Sequence, residues 1–136
     1  MAAVEGVPDP RVAGAVSSYF EAISTRAEPA WLALFADDAV VHDPVGSSPA
    51  EGRAALAEVW RMLQVPFEKL VLDPVHTFYG GNGAAVKWTG HGHGITGQEV
   101  EFEGISIFEV NLDGRIQTLM SYWDPAAMMI ELAETD

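Results

Sequence analysis

The stretch Ala36-Asp37-Asp38-Ala39-Val40-Val41-His42-Asp43-Pro44-Val45-Gly46 decides how this chain is read. It reads as a helix end, a brief apolar strand at Val40-Val41 and an abrupt stop. Pro44 has no N–H to donate and biases Asp43 towards an extended backbone, so the strand ends there. A carboxylate so placed can point along the strand into the interior. An acid is costly in that position unless it meets donors or does chemistry. Taken alone, Asp43 can equally be a turn residue whose carboxylate caps a nearby N–H.

Upstream, Asp9-Pro10 pairs an N-cap aspartate with a proline at the first helical position. Residues 1–8 read as a flexible N-terminal arm and residues 9–136 as a single domain. From Pro10, Val12, Val16, Tyr19, Phe20 and Ile23 recur at helical spacing and define one buried face. Tyr19 lies on that face, so its hydroxyl needs an internal partner. Pro29 starts a short second helix whose Trp31, Leu32, Leu34 and Phe35 turn inward.

Downstream, Gly46-Ser47-Ser48-Pro49 is a turn by composition. A third helix runs to about Leu63, with Leu56, Val59, Trp60 and Leu63 on one side. Beyond Pro66 the pattern changes to four strands, Glu68 to Tyr79, Ala84 to Gly92, Gln98 to Val110 and Arg115 to Trp123. Gly80-Gly81-Asn82-Gly83 and Asn111-Leu112-Asp113-Gly114 connect them as hairpins. Pro125 to Leu132 reads as a short terminal helix or ordered tail. Helices first and strands afterwards make an α+β domain. Its antiparallel sheet is expected to curve into a cone around the N-terminal helices, leaving an apolar pocket at the wide end.

The composition narrows the chemistry. The chain has 136 residues, 49% of them hydrophobic, enough for one real core and too apolar for disorder. Its net charge of −13 disfavours nucleic acid and anionic membranes as partners and leaves a neutral or cationic small molecule, or another protein. No run is long enough to cross a membrane as a helix, and Met1 to Pro10 lacks the features of a secretory signal. There is no cysteine, hence no disulfide and no thiol nucleophile, which fits a cytoplasmic protein. No phosphate-binding loop or nucleotide fingerprint is present.

His91 and His93 alternate on one strand and so share a face, but two ligands are too few for a metal site. Strand alternation puts Val86 and Trp88 on the inner face and Lys87, Thr89, His91 and His93 on the other, unless a bulge at Gly90, Gly92 or Gly94 reverses the order. Glu101 and Glu103 are expected in solvent. His42 precedes Asp43 directly and points to the opposite face, so it is not expected to partner it.

Three stretches resemble the ketosteroid isomerase branch of the nuclear-transport-factor-2-like superfamily, which also contains polyketide cyclases. They are Ser18-Tyr19-Phe20, Leu34 to Gly46, and Asp113-Gly114-Arg115-Ile116-Gln117-Thr118-Leu119-Met120-Ser121-Tyr122-Trp123. The resemblance implies Asp43 as a general base that moves a proton between two carbons of a steroid-like ketone, and Tyr19 as the donor to the enolate oxygen. The family's second donor is a protonated aspartic acid, and that position here is Ser106. Trp123, Leu119, Val59, Trp60, Trp88 and Phe108 are expected to line the substrate pocket. Trp60 stands where many members carry a tyrosine that supports the catalytic one. The resemblance further implies no metal or cofactor, an apolar small-molecule substrate, and a homodimer through the outer sheet face, where Ile105 and Ile107 point outward. Two other functions fit the same cone. One is polyketide cyclisation or epoxide opening, for which Glu68 is the available second acid. The other is a non-catalytic binding domain.

Overall fold

The structure is a computed structural model that describes residues 3–133. In chain order the elements are β1 (Ala3–Glu5), α1 (Pro10–Ser24), α2 (Glu28–Ala33), β2 (Phe35–His42), β3 (Ala50–Glu51), α3 (Arg53–Gln64), β4 (Phe67–Gly80), β5 (Gly83–Gly94), β6 (Glu99–Val110), β7 (Ile116–Tyr122) and α4 (Pro125–Ala133). The first helix starts as its sequence dictates, with the Asp9 carboxylate accepting from the Arg11 N–H and proline in the first turn. Its expected face is buried along its whole length, from Val12 to Ile23.

The seven strands form one sheet in the order β1-β4-β5-β6-β7-β2-β3. The long strands β4 to β7 pair as an antiparallel meander. Gly81, at φ +52°, lets β4 turn into β5 through two residues. At the β6–β7 turn the Asn111 side chain accepts from the Asp113 and Arg115 N–H groups, which fixes the connection. Helices α1 and α3 pack on the inner face of this sheet, and α4 lies against β6. The core gathers where they meet, with Ile23, Trp31, Phe35, Leu70, Phe108 and Leu119 fully buried.

Three expectations are corrected. The sheet is mixed rather than antiparallel, because β2 runs parallel to β7 and β1 runs parallel to β4. Residues Ala3–Glu5, expected within a flexible arm, add to the sheet edge as β1 opposite His76 to Phe78, and Glu5 pairs there with His76. Residues 1–2 of that arm, and residues 134–136 of the domain, lie outside the described residues. Ala36, Asp37 and Asp38 belong to β2, not to a helix end. Phe35 and Ala36 are buried while Asp37 and Asp38 are exposed, a two-in, two-out pattern that imitates helical periodicity. A register irregularity between Phe35 and Val40 accommodates it within a strand.

The outer sheet face carries Ile105, Ile107, Phe78 and Tyr122 partly exposed. His91 and His93 also point outward, as alternation requires. Each faces a single glutamate across the strand pair, Glu101 at 3.1 Å and Glu99 at 3.5 Å. Among the described residues, no group of three or more His, Cys, Asp or Glu side chains could hold a metal ion, and no helix is long and apolar enough to cross a membrane.

Candidate active site

Asp43 follows the last residue of β2, and its peptide bond to Pro44 is cis. The loop it opens is tied to the sheet by the Val45 N–H, which donates to the Ser121 carbonyl at 2.8 Å. This anchor turns the Asp43 side chain inward, where the Trp123 indole N–H donates to it at 2.7 Å. Burial pushes the Asp43 carboxyl up to about 6, and the bond from Trp123 opposes that rise. Such a group exchanges its proton near neutral pH, as a general base must.

Tyr19 reaches the same place from α1. Its ring is caged by Phe20, Phe108, Phe35 and Trp31, with centroids 5.0–6.5 Å away and mostly edge-to-face. The cage fixes the ring and leaves the hydroxyl as its one polar direction. Burial first, and then the negative charge of Asp43, hold the phenol well above its ordinary pKa, while a hydrogen bond with Ser121 acts the other way. The phenol is therefore protonated across the range in which Asp43 titrates.

A small enclosed cavity joins these groups. It is lined by Tyr19, Asp43, Leu63, Leu72, Trp88, Phe102, Ser106, Ser121 and Trp123, and the space open to a water centre is about 10 Å³. That holds about one water molecule. Outside it, a groove of about 100 Å³ is lined by Asp43, Pro44, Val59, Met62, Leu63, Trp123 and residues 125, 128 and 129 of α4. Asp43, Leu63 and Trp123 border both spaces. Together they fall well below the roughly 300–1,000 Å³ of ordinary ligand pockets. Met128 is buried against the groove and narrows it.

The structure thus brings together Asp43, Tyr19, Ser106, Trp88 and Trp123 in one cavity, and places Val59 at its outer groove. Three expected pocket residues are elsewhere. Leu119 is sealed in the core, Phe108 packs edge-on behind Tyr19, and Trp60 lies tilted at 45° against Trp31, with ring centroids 5.4 Å apart. Each shares the inward face of its element but lies a layer too deep. Glu68 is exposed on β4 and lines neither space, so it is no second acid for Asp43. Ser121, Leu72 and Phe102 were missed as site residues. Strand alternation from Leu119 carries Ser121 inward, and that signal was available.

Gly104 explains how two indoles share so small a space. It sits opposite Trp88 on the neighbouring strand, and a Cβ there would lie 2.6 Å from the Trp88 ring and 2.8 Å from Trp123 Cβ. Without a side chain at 104, Trp88 and Trp123 approach to 6.2 Å between centroids at 64°.

Residues 16–119 match the model of the SnoaL-like domain. The chain belongs to that family. A Steroid Delta-isomerase of Nocardioides simplex is 29% identical over 119 residues, which is 88% of this chain and 94% of that protein. The Delta 5-3-ketosteroid isomerase of a Mycobacterium species superposes with a TM-score of 0.75 at 26% identity, covering 87% of this chain and 96% of the other. SalBIII, an epoxide hydrolase/cyclase-like enzyme of pyran ring formation in the polyether salinomycin, has a TM-score of 0.76 at 24% identity, over 85% of this chain and 91% of its own. At that identity SalBIII shares the fold. The relatives above 25% identity are thus isomerases, and the fold is shared with a cyclase-like enzyme.

Proposed function

We propose that this SnoaL-like protein is an enolising enzyme for an apolar ketone. The observation that carries this reading is the pairing of one inward carboxylate, Asp43, with one protonated phenol, Tyr19, across the same apolar cavity. Asp43 as carboxylate removes a proton from the carbon beside the ketone, and the electron pair moves onto the carbonyl oxygen. Tyr19 donates a hydrogen bond to that oxyanion in surroundings where few other dipoles compete. The protonated Asp43 then returns the same proton to the far carbon of the dienolate. The net change is a carbon–carbon double bond moved into conjugation, with no proton gained or lost. The steroid isomerase relative supports a steroid-like or polycyclic substrate.

A second reading shares the first step. In the polyketide cyclisation that the family resemblance implies, the enolate attacks another carbonyl of the same molecule and closes a ring. Asp43 then gives its proton to the new alkoxide. Epoxide opening fits less well, because Asp43 is the one carboxylate lining the cavity and groove among the described residues.

The test is made on both levels. A β,γ-unsaturated 3-ketosteroid is followed to its conjugated enone by absorbance, and exchange of ketone α-protons in D2O is followed by NMR. Wild type should catalyse both, Asp43→Asn neither, and Tyr19→Phe should lose about a hundred- to a thousandfold in rate, as expected for one oxyanion donor. Exchange without isomerisation would select the ring-closing reading. A folded wild type that exchanges no α-proton of any ketone tried would sink the proposal.

A further inference from the structure

The polar wall of the cavity is a row of three hydroxyls ending on an indole. The Trp88 Nε1–H donates to Ser106 Oγ at 2.9 Å, and Ser106 Oγ lies 2.8 Å from Ser121 Oγ. Ser106 and Ser121 are directly opposed on β6 and β7, and both are buried. Ser121 and the Tyr19 phenol line the same small cavity, where Ser121 is the hydrogen-bonding side chain that acts on the phenol.

Counting protons gives the row a direction. An indole nitrogen donates and never accepts, whereas a hydroxyl has one proton to give. Four protons serve three bonds, so one is left for the cavity. It sits at one of three places, one of them the Ser121 hydroxyl itself when Ser106 and Tyr19 both donate to it. If Tyr19 donates to Ser121 and Ser121 to Ser106, the free proton is on Ser106. If Ser106 donates to Ser121 and Ser121 to Tyr19, it is on the phenol. Asp43 lines the same cavity and carries the negative charge in the resting enzyme, and the enolate oxygen carries it after proton abstraction. A phenol is a far stronger acid than an alcohol and makes the stronger hydrogen bond to an anion. The second order is then preferred, and every upstream bond polarises the next.

We propose that Ser121 is the positioning residue of the site: its hydroxyl donates to Tyr19, turns the phenol proton into the cavity and relays the polarisation from Trp88 through Ser106. Its catalytic consequence rests on the enolising function proposed above, but the hydrogen-bond order does not. Ser106 is then a relay and no longer a direct donor to substrate. Chemically, the row replaces a single strong acid with three weak donors in series.

The experiment reads the phenol directly. Tyr19 is replaced by 3,5-difluorotyrosine, whose fluorines bring ionisation into the range where the protein is folded, and the 19F shift is followed against pH. Removing one donor to an ionised group should weaken ionisation about tenfold to a hundredfold in Ser121→Ala. Ser121→Thr should restore it. Ser106→Ala should move it in the same direction by less. In the turnover assay Ser121→Ala should lower kcat with KM held, and Ser106→Ala should stay well above Tyr19→Phe. Ionisation that is unchanged or easier in Ser121→Ala overturns the proposal. So does a Ser106→Ala enzyme as inactive as Tyr19→Phe, since the free proton would then belong to Ser106. A wild type without turnover refutes the enolising function and leaves the fluorine titration to decide the order of the row.

Discussion

Asp43→Asn should make this protein more stable at neutral pH while abolishing its proposed chemistry. The Asp43 carboxyl has a folded-state pKa of about 6 against an ordinary value of 3.8. At about 1.4 kcal/mol for each tenfold change in acidity, that difference is about 3 kcal/mol, a ceiling for a side chain that keeps some contact with solvent. Burial is the main cause and the bond from Trp123 offsets part of it.

The sign follows from proton counts. Below about pH 3.8 both folded and unfolded chains hold the proton, and Asp43 is neutral in each. Between about 3.8 and 6 the folded state binds the proton more tightly, so stability falls as pH rises, and above about 6 the loss is complete. Asparagine never ionises, and its carbonyl oxygen still accepts from Trp123. The variant should therefore match wild type at pH 4 and exceed it by up to about 3 kcal/mol at pH 8. Urea denaturation at both pH values measures this. With a slope of about 2 kcal/mol/M, the midpoint should rise by roughly 1.5 M at pH 8 and not at pH 4. A midpoint that rises equally at both pH values would attribute the gain to packing and refute the reasoning. No rise at pH 8 would show that Asp43 is not held in a desolvated site. A positive result would also mark Asp43 as a residue retained against stability, as functional groups often are.

Trp123→Phe removes the one donor that lowers the Asp43 pKa, so the acid limb of the kcat/KM profile should move to higher pH and activity at pH 7 should fall; a pH–rate series checks it. Met128→Ala should widen the groove beneath α4, lowering KM for bulky ketones while costing about 2–5 kcal/mol of stability, read by steady-state kinetics and urea melts. Gly104→Ala forces Trp88 and Trp123 apart and should destabilise the fold by about 1–3 kcal/mol, with the tryptophan emission changed.

The legible part of this fold was its periodicity. The face Val12 to Ile23 on α1 and the alternation Val86, Trp88 against Lys87, His91 on β5 need no information beyond residue spacing. What escaped the sequence depends on partners far along the chain. That β2 runs parallel to β7 follows from a crossover through the whole meander, and β1 is too short to signal without its neighbour β4. Asp37 and Asp38 misled because a register irregularity gave a strand the rhythm of a helix. The site was legible in part for the same reason. Asp43 and Tyr19 carry signals in their own neighbourhoods, a proline stop and a buried helix face. Depth is different: Trp60, Leu119 and Phe108 all face inward, and only the packed layers decide that they stop short of the cavity.

The serine at 106 has a consequence for the site as a whole. A protonated aspartic acid there, as the resemblance implies for relatives, would put a second carboxyl in the cavity that Asp43 already lines. Two acids in one apolar space titrate as a pair, and each proton state of one alters the other. Neutral hydroxyls avoid that coupling. Ser106 is satisfied by Trp88 and Ser121 at ordinary distances, so burial of the row leaves little to offset. Among the residues lining the cavity, Asp43 is then the one group that changes charge near neutral pH. The pH profile of the proposed reaction should accordingly show a single acid limb rather than the two closely coupled steps of a dyad. A second acidic break in kcat/KM below the ionisation of Asp43 would contradict that assignment.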